Sequence, residues 1–391
     1  MTAKARSGGA IVRRLPKPYD PAVPLAPWAG GARPDSSCLV IRYGAFGDHI
    51  MASSVLLLLR ERWGHVTYNS DPRGYEILKH DPHVDAFFIQ EKDQVPNAGL
   101  GAYWKALSNG FDRVVNLSES VEGTLLAVPG RKEHDWPDEV RRTILGSVNY
   151  LERHHDLAGV AHRFRPAFHP SPAEAAWAAR RRRRIGGRLV LWCLSGSSVH
   201  KTYPWVGDMA ERILRETDWR LAFVGDRDDR PLEELVGQQA LAAVGHAPRA
   251  QIYRTGHAGI VRAVAQRFGR RVTFAAGRWP IRRTLALARL ADVVAGPETG
   301  VMNAVSHEPT VAKVAMLSHS SHRNLTQHWV NTAVLEPDRA KVPCFPCHRL
   351  HYTREFCPAD PASGAARCAA SIPPGAVVAA IGARLTAKEA A

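Results

Sequence analysis

The amino-acid sequence predicts an α/β protein with two Rossmann-like domains that face a central cleft. Short apolar runs, typical of buried parallel strands, alternate with helical stretches. This alternation occurs twice, before and after a segment at 150–187 that contains prolines and a run of arginines. The length of 391 residues suits two domains of about 100–200 residues each. Because open α/β sheets bind ligands at the carboxyl ends of their strands, we expect the functional site in the cleft.

The first domain is predicted from four apolar runs that follow a proline-rich leader. Residues 1–36 hold six prolines and several glycines, and we interpret them as a flexible arm. The run Cys38–Ile41 then precedes a glycine-containing turn and an apolar helical stretch at 49–63. The predicted strands of this domain are 38–41, 65–69, 85–89 and 113–117.

The second domain is predicted from a further series of apolar runs after the connecting segment. We therefore divide the chain into the leader at 1–36, an N-terminal domain at 37–170, a C-terminal domain at 185–372 and a terminal helix at 373–391. The terminal helix could pack back on the N-terminal domain. The predicted strands of the C-terminal domain are 189–194, 221–224, 272–275, 293–295 and 311–317, and the alanine-rich helix lies at about 374–387.

The chain is basic, with 52 Lys and Arg against 37 Asp and Glu and a formal charge of +15. Such an excess favours anionic partners such as nucleotides, phosphorylated glycans or anionic lipid surfaces. A basic surface that only keeps the protein soluble is the alternative. The arginine run at 180–184 ends a predicted helix, where cations suit the C-terminus, so a solvated helix end is favoured over a binding patch. The sequence has no recognised nucleic-acid-binding module.

The sequence predicts a cytoplasmic protein, with peripheral contact at the inner membrane as an option. Its longest strongly apolar stretch, at 55–59, is far shorter than the roughly 18–20 residues that span a bilayer. The basic N-terminus is not followed by the apolar region of a secretory signal. In the cytoplasm, the six cysteines are not expected to form structural disulfides.

The first candidate loop follows the first predicted strand and contains Gly44, Gly47 and Asp48. Glycines let the backbone approach a ligand closely, and a helix N-terminus favours anions. The spacing is not the dinucleotide-binding fingerprint, because the first part of G-x-G-x-x-G is missing. From spacing alone, Asp48 is either a helix cap or a functional carboxylate.

Two further loops follow strands of the second domain. Ser197, Ser198 and Lys201 form a plausible diphosphate cradle, although the loop is not a Walker A motif and an ordinary strand-to-helix loop is the alternative. Polar residues flanked by glycine also follow the strand at 293–295, where a helix N-cap is the alternative to a ligand loop. The candidate ligand-binding residues of the second domain are Ser197, Ser198, Lys201, Gly225, Glu298, Thr299, Gly300 and Asn303.

Four of the six cysteines lie within 25 positions and begin with a C-x-x-C pair. Such spacing is typical of a tetrahedral thiolate site for zinc or iron, and four sulfur ligands would make the metal structural and not catalytic. Buried free thiols and a redox pair are the alternatives. The other two cysteines, Cys38 and Cys193, lie in strand runs and are expected in the core. The candidate metal ligands are Cys344, Cys347, Cys357 and Cys368.

Four segments in order resemble the heptosyltransferase family, glycosyltransferase family nine, over about residues 36–388. The strand, G-x-x-G-D turn and helix at 39–54 look like the start of that family. The segment 192–205 is similar to its G-S-S-like loop, with Lys201 in place of its lysine. The stretch from Ala291 to Gly300 is similar to the family's "A-D-x-x-x-G-[DE]-[ST]-G" segment, and Pro343 precedes a C-x-x-C pair, as is frequent in the family.

The resemblance implies a GT-B fold, in which the second domain holds most of a nucleotide-sugar donor. It implies inverting transfer without a catalytic metal, with Asp48 as the base that deprotonates or orients the acceptor hydroxyl. Lys201 with the two serines would stabilise the leaving diphosphate. Glu298, Thr299 and Gly300 would hold the donor sugar or phosphate.

The sequence departs from the family at Asn303, where many members have histidine, and at Glu298, where aspartate is commoner. The helical stretch at 302–309 is also short. A donor other than ADP-heptose, and a catalytically silent nucleotide-sugar-binding subunit, are therefore alternatives. The cysteine spacing and the leader are similar to the branch that glycosylates autotransporter proteins and binds iron through four cysteines. The expected acceptor is thus a lipopolysaccharide-core or other lipid-linked glycan, or a protein, and an oligomer is compatible with either.

Overall fold

The computed structural model describes residues 10–22, 25, 33–118, 120–122, 124–243, 256–353 and 355–389. The chain forms two compact units. Unit 1 comprises Met1–Val121 and Tyr150–His169, and unit 2 comprises Glu122–Asn149 and Pro170–Ala391.

Strands and helices alternate along most of the chain. The strands are β1 (Ile11–Arg14), β2 (Cys38–Ile41), β3 (Val66–Ser70), β4 (Ala86–Ile89), β5 (Arg113–Asn116), β6 (Leu189–Cys193), β7 (Arg220–Val224), β8 (Val272–Phe274), β9 (Val293–Pro297), β10 (Ala312–Met316) and β11 (Thr332–Leu335). The helices are α1 (Phe46–Trp63), α2 (Pro72–Leu78), α3 (Leu100–Ser108), α4 (Asp138–Ile144), α5 (Tyr150–Ala158), α6 (Pro172–Ile185), α7 (Val206–Glu216), α8 (Arg230–Ala243), α9 (Gly256–Phe268), α10 (Ile281–Ala288), α11 (Gly300–Val305), α12 (Arg367–Ala370) and α13 (Pro374–Glu389).

Unit 1 is built on a five-stranded parallel sheet in the order β1-β4-β3-β2-β5. Strands β2, β3 and β4 are fully buried, as expected for a parallel sheet with both faces covered. Helix α1 follows β2 and ends at Gly64, whose left-handed backbone (φ 66°) closes the last turn. All four strands predicted for this domain are confirmed to within one residue at each end.

The leader contributes a strand that the sequence analysis did not predict. Strand β1 pairs in parallel with β4, with Ile11 opposite Ala86, and Leu15 is buried in a cluster with β2 and α3 residues. The interpretation of the whole leader as a flexible arm is therefore wrong for residues 11–15. Strand β1 was missed because it has only four residues and is followed by a proline-rich stretch. Its hydrogen-bond partners are in β4.

Unit 2 is built on a six-stranded parallel sheet in the order β11-β10-β9-β6-β7-β8. The central strands β6 and β9 and their neighbour β10 are fully buried. The five predicted strands are confirmed with small shifts at their ends. Edge strand β11 was not predicted, because all four of its residues are only partly buried and its apolar run is short.

The structure assigns one predicted segment differently. Residues 122–149, which we placed in the N-terminal domain, belong to unit 2, whereas 150–169 belong to unit 1, where we placed them. The terminal helix α13 packs within unit 2: Val377, Ile381 and Leu385 join its main core cluster, and Arg384 donates to the Thr332 carbonyl at 2.8 Å.

The arginine run ends α6, as predicted, and two of its members have specific partners. Helix α6 starts with a capping box between Ser171 and Glu174. Arg182 donates to Asp292 at 2.8 Å, and Arg181 lies over the rings of two tryptophans, Trp177 and Trp279. The run therefore also fastens α6 within unit 2. None of the helices within the described ranges is both long and apolar enough to cross a membrane.

Candidate functional site

Asp48 lies in the first turn of α1, at the carboxyl end of β2. Its Oδ2 accepts a hydrogen bond from the Ala45 amide at 2.6 Å, and its Oδ1 lies 3.0 Å from Nη2 of Arg42. The Asp48 side chain is 19% exposed, whereas that of Arg42 is fully buried. Arg42 also donates to the Leu117 carbonyl at 2.9 Å, at the end of β5. The carboxylate is thus held between a helix N-terminus and a buried guanidinium, both of which favour its charge.

Gly44 makes room for this carboxylate. Its φ is +142°, and a Cβ at this position would lie 2.5 Å from Oδ2 of Asp48. The glycine of the motif is therefore required by the aspartate four residues later. Gly47 lies in the same helical turn.

The interpretation of Asp48 as a helix cap agrees with its contacts, but these contacts do not occupy every lone pair of the carboxylate. A carboxylate has about four lone-pair positions, and the contacts above use one on each oxygen. Since the side chain is also partly exposed, a reactant hydroxyl can still bond to it.

His49 is a neighbour whose role the sequence analysis missed. It is fully buried, its Nδ1 lies 3.0 Å from the Tyr68 hydroxyl, and its Nε2 lies 3.5 Å from Asp71. Burial alone would raise the pKa of Asp71, but its interactions with His49, the Gly74 amide and Arg73 together outweigh burial and lower that pKa. His49 therefore ties α1 to β3 and to the start of α2.

In unit 2, the loop after β6 turns back on itself and brings Lys201 beside Gly196. Ser195 and Thr202 form an antiparallel bridge, and the Gly196 amide donates to the Lys201 carbonyl at 3.1 Å. A Cβ on Gly196 would lie 2.7 Å from Cδ of Lys201 and 3.3 Å from the Glu298 carbonyl oxygen. Glycine at this position thus allows the lysine loop to pass close to the loop after β9.

The two predicted serines of this loop have different environments. Ser197 is exposed. Ser198 is buried, and its hydroxyl donates to the His351 carbonyl at 2.5 Å, accepts from the His351 amide at 3.0 Å and lies 2.6 Å from Nε2 of His200. These contacts favour a structural role for Ser198, whose contact with the donor stays a prediction, and Ser197 and Lys201 stay the more accessible candidates.

Glu298 is a buried carboxylate at the end of β9. Its Oε1 accepts from the Ser318 hydroxyl at 3.0 Å and lies 2.5 Å from Nδ1 of His319. Burial would raise the pKa of Glu298, but the charges of His319 and Lys201 outweigh it and hold that pKa below its usual value. Burial lowers the pKa of His319. Glu298 is therefore held as a buried carboxylate beside His319 and Lys201.

Behind these loops lies a cluster of buried histidines that the sequence analysis did not identify. The ring centroids of His200 and His319 are 4.6 Å apart, and those of His200 and His351 are 5.7 Å apart. Burial lowers the pKa of His351 to about 4 and that of His348 to about 3. The ring nitrogens of His200 have hydroxyl partners on both sides, Ser198 at 2.6 Å and Ser318 at 2.7 Å. Neutral imidazoles thus connect the Lys201 loop to the segment at 348–351.

The loop after β9 leads into the short helix α11. Thr299 is its N-cap residue, as the capping alternative predicted, and Gly300 is its first residue. Asn303 is buried, and its side-chain amide donates to the Thr299 carbonyl at 3.1 Å. Within the described contacts, Asn303 therefore stabilises the turn, while Thr299 and Gly300 are only partly buried.

Gly225 has the same relationship to Asp229 that Gly44 has to Asp48. A Cβ on Gly225 would lie 2.2 Å from Oδ2 of Asp229, which accepts from the Asp226 amide at 2.9 Å. The other oxygen accepts from Ser195 at 2.5 Å. The G-x-x-x-D spacing, which follows a strand in both units, is a sequence pattern that indicates this contact between glycine and aspartate.

All four clustered cysteines lie in unit 2. Burial raises the pKa of Cys347 to about 12, and the neighbouring Cys344 and Cys357 add to that increase. Burial likewise raises the pKa of Cys368, with further contributions from the other three thiols. The four sulfurs therefore lie close enough to interact electrostatically.

The tightest sets of potential metal ligands in the described part of the chain do not include these thiols. Two sets of three have all ligand atoms within 4.8 Å of one another: Asp81, His83 and His169 in unit 1, and His200, Glu298 and His319 in unit 2.

Comparisons with known proteins identify the fold. No family model matches the chain, and no curated protein matches it. Among solved structures, a glycosyl transferase family 9 protein from Veillonella parvula DSM 2008 aligns over 90% of this chain and 98% of its own, with a TM-score of 0.61 and 15% identity.

Two heptosyltransferase structures align similarly. The E. coli ADP-heptose lipopolysaccharide heptosyltransferase II covers 90% of this chain and 99% of its own, with a TM-score of 0.54 and 15% identity. The dodecameric iron-containing heptosyltransferase TibC, in complex with ADP-D-β-D-heptose, covers 91% of this chain and 76% of its own, with a TM-score of 0.52 and 11% identity. The chain therefore has the GT-B-like fold of family-nine glycosyltransferases, and the prediction of an α/β protein with two Rossmann-like domains is confirmed.

Proposed function

We propose that this chain is an inverting glycosyltransferase that transfers a sugar from a nucleotide-sugar donor to an acceptor hydroxyl. The observation that carries the proposal is the Asp48 carboxylate, which Arg42 and the Ala45 amide fix at the end of β2 while leaving lone pairs free. This carboxylate occurs in a chain with the fold of the family-nine glycosyltransferases.

In this proposal, Asp48 accepts the proton of the acceptor hydroxyl, or orients that hydroxyl, as its oxygen attacks the anomeric carbon of the donor sugar. The bond from that carbon to the diphosphate oxygen breaks, and the nucleoside diphosphate leaves with the electron pair. Attack from the face opposite the leaving group inverts the configuration. The steps need a fixed carboxylate and a cation for the leaving group, and no metal takes part in them.

The cation is assigned to Lys201, assisted by Ser197. The ammonium group offsets the negative charge that develops on the diphosphate. The Glu298 carboxylate interacts electrostatically with the Lys201 ammonium group. Ser318 and His319 contact Glu298 and hold it in place. Glu298 is thus a positioning residue for Lys201, and the partly buried Thr299 and Gly300 remain the candidates for contact with the donor. Gly225 is exposed and stays a candidate for the same contact.

We assign ADP-heptose as the donor, because the similar structures include an ADP-heptose heptosyltransferase and one bound to ADP-D-β-D-heptose. For the acceptor, a lipopolysaccharide-core glycan is the first choice. A protein hydroxyl is the second choice, favoured by the four-cysteine cluster together with the similarity to TibC, which is described as iron-containing.

The experiment is a mass-spectrometric screen of nucleotide sugars, with ADP-heptose first, against core-glycan and protein acceptors. The expected result is a product that has gained one sugar, with release of the nucleoside diphosphate. Saturable donor binding without product or donor hydrolysis, across all acceptors, would instead indicate a silent nucleotide-sugar-binding subunit.

A further inference from the structure

Outside the region described above, unit 1 brings together one carboxylate and two imidazoles. Asp81 follows α2, His83 precedes β4, and His169 is the last residue of unit 1. One ligand atom from each of these side chains lies within 4.8 Å of the other two. His169 is 86 positions away from His83 in the chain, so the grouping is a product of the fold and not of local sequence.

The Asp81 carboxylate is buried, and only one of its two oxygens accepts a hydrogen bond in the described part of the chain. Its side chain is 2% exposed. Oδ1 accepts from the His83 amide at 2.9 Å and lies 2.9 Å from Nδ1 of the same residue. Oδ2 is buried and has no hydrogen-bond partner in the described part of the chain. It points toward His169, whose Nε2 is 3.9 Å away.

This arrangement is not explained by local turn formation. A turn stabilised by an aspartate side chain accounts for Oδ1, which bonds to the amide two residues on. It leaves Oδ2 buried beside a second imidazole without a bond, and a buried acceptor in that state costs about 1–3 kcal/mol. A cation between Oδ2 and the two rings would remove that cost.

The two imidazoles beside this oxygen are themselves partly exposed to solvent. The side chains of His83 and His169 are 26% and 33% exposed, respectively. Their ring centroids are 5.9 Å apart, with the rings nearly perpendicular at 72°. An ion can therefore reach both imidazoles from the surface, and a ligand atom of each lies within 4.8 Å of a carboxylate oxygen of Asp81.

We propose that Asp81, His83 and His169 bind a divalent transition-metal ion of the zinc class. Two imidazoles and one carboxylate suit Zn²⁺, Co²⁺ or Fe²⁺, whereas Mg²⁺ and Ca²⁺ prefer oxygen ligands only. Three protein ligands leave at least one position for water. The ion would connect the segment before α6 to the turn between α2 and β4. The same segment is already attached to α1, because the Ala167 amide donates to the Ser53 hydroxyl.

The other three-ligand set, His200, Glu298 and His319, does not carry the same inference. Both nitrogens of His200 already have hydroxyl partners, and Oε1 of Glu298 accepts from Ser318. In that set the carboxylate oxygen nearest the rings already contacts Ser318 and lies 2.5 Å from Nδ1 of His319, whereas Oδ2 of Asp81 has no hydrogen-bond partner in the described part of the chain.

The test is a Co²⁺ titration of the untagged full-length protein as purified, so that any ion at the cysteines stays in place. Calorimetry gives the stoichiometry and affinity, and the absorption spectrum reports the ligands. Nitrogen and oxygen ligands give weak visible bands, while thiolates add an intense near-ultraviolet charge-transfer band. The variants are Asp81→Asn and His169→Gln. The matched control is His162→Gln, which removes an exposed histidine of the same segment that pairs with Asp156 at 2.8 Å.

We expect wild type and His162→Gln to bind one ion with visible bands and without the charge-transfer band. Since the loss of an outer-shell partner alone costs about 10–100-fold in affinity, the loss of a ligand should weaken binding by at least that factor. No uptake by wild type, or equal uptake by His169→Gln, would overturn the proposal. Because His169 is partly exposed, its variant should keep the wild-type circular dichroism spectrum, which makes either outcome interpretable.

Discussion

Gly44 and Asp48 depend on each other: a single methyl group on residue 44 would lie 2.5 Å from the carboxylate oxygen that caps α1. The motif glycine is therefore explained by packing against a side chain, in addition to any approach to a ligand. The exposed Gly225 has the same relationship to Asp229 in unit 2.

We expect Gly44→Ala to destabilise the protein and to displace Asp48. The residue must keep a φ of +142°, which disfavours any side chain, and its Cβ collides with Oδ2. Strained backbone of this kind costs about 1–3 kcal/mol. Urea unfolding measures the loss of stability, and sugar transfer measures the displacement.

The control for this variant is Gly101→Ala in α3, where a Cβ meets nothing within 4 Å. That change should be neutral or stabilising by up to about 1 kcal/mol, since alanine favours helix. Equal effects of the two substitutions would show that the contact between Gly44 and Asp48 has no energetic weight.

Ser197→Ala and Ser198→Ala should affect different properties. Ser198 holds His351 and His200, so its loss leaves buried groups without partners and should cost about 1–3 kcal/mol of stability. Ser197 is exposed, so its loss should change stability by less than about 0.5 kcal/mol but raise the KM for the donor. A stable Ser198→Ala protein with weakened donor binding would reverse these two assignments.

The stability of the protein should decrease as the pH falls below about 6.5. Burial lowers the pKa of His351 from 6.5 to about 4 and that of His348 to about 3. Below pH 6.5 the unfolded chain binds protons at these residues while the folded chain does not, so acid favours unfolding. The loss should accumulate between about pH 6.5 and pH 3–4.

Urea unfolding at pH 7, 6 and 5 measures this dependence, and His351→Gln supplies the comparison. The variant should show a shallower decrease than wild type over that range, because one of the protons taken up on unfolding is gone. Equal unfolding free energies for wild type at pH 7 and pH 5 would contradict neutral buried histidines.

A structural zinc or iron ion at Cys344, Cys347, Cys357 and Cys368 should be found at about one per chain by metal analysis. Cys347→Ser should lower that ratio and reduce the melting temperature, since metal binding is coupled to folding. The control is Cys38→Ala, which alters a fully buried thiol of strand β2 in the other unit. A metal content in Cys347→Ser equal to that of the control would contradict the thiolate site.

Most of the fold was predictable because its parallel strands are continuous apolar runs. Strands such as Leu189–Cys193 are buried on both faces and have no competing helical interpretation. Edge strands β1 and β11 were missed, since partly buried runs of four residues depend on their neighbours for their identity. Residues 122–149 could not be assigned to unit 2 because that depends on tertiary contacts such as that of Arg141 with the Cys347 carbonyl at 2.8 Å.

The candidate site was predictable at the level of loops and not of side-chain roles. Position after a strand pointed to Asp48, Lys201 and Glu298, because the carboxyl ends of parallel strands collect functional loops. The buried role of Ser198, and the histidines that surround it, come from segments about 150 positions apart in the chain. No local pattern records such pairings.

The central claim is that Asp48 is the catalytic carboxylate, and the measurement that tests it is the transfer rate of Asp48→Asn. Asparagine keeps an oxygen for the Ala45 amide but cannot take a proton. We expect normal folding and a decrease in kcat of about 10²–10⁴-fold. Asp71→Asn is the control, since Asp71 caps α2 by accepting from the Gly74 amide at 3.1 Å, and asparagine caps helices equally well. A transfer rate of Asp48→Asn close to that of wild type and of this control would contradict the claim.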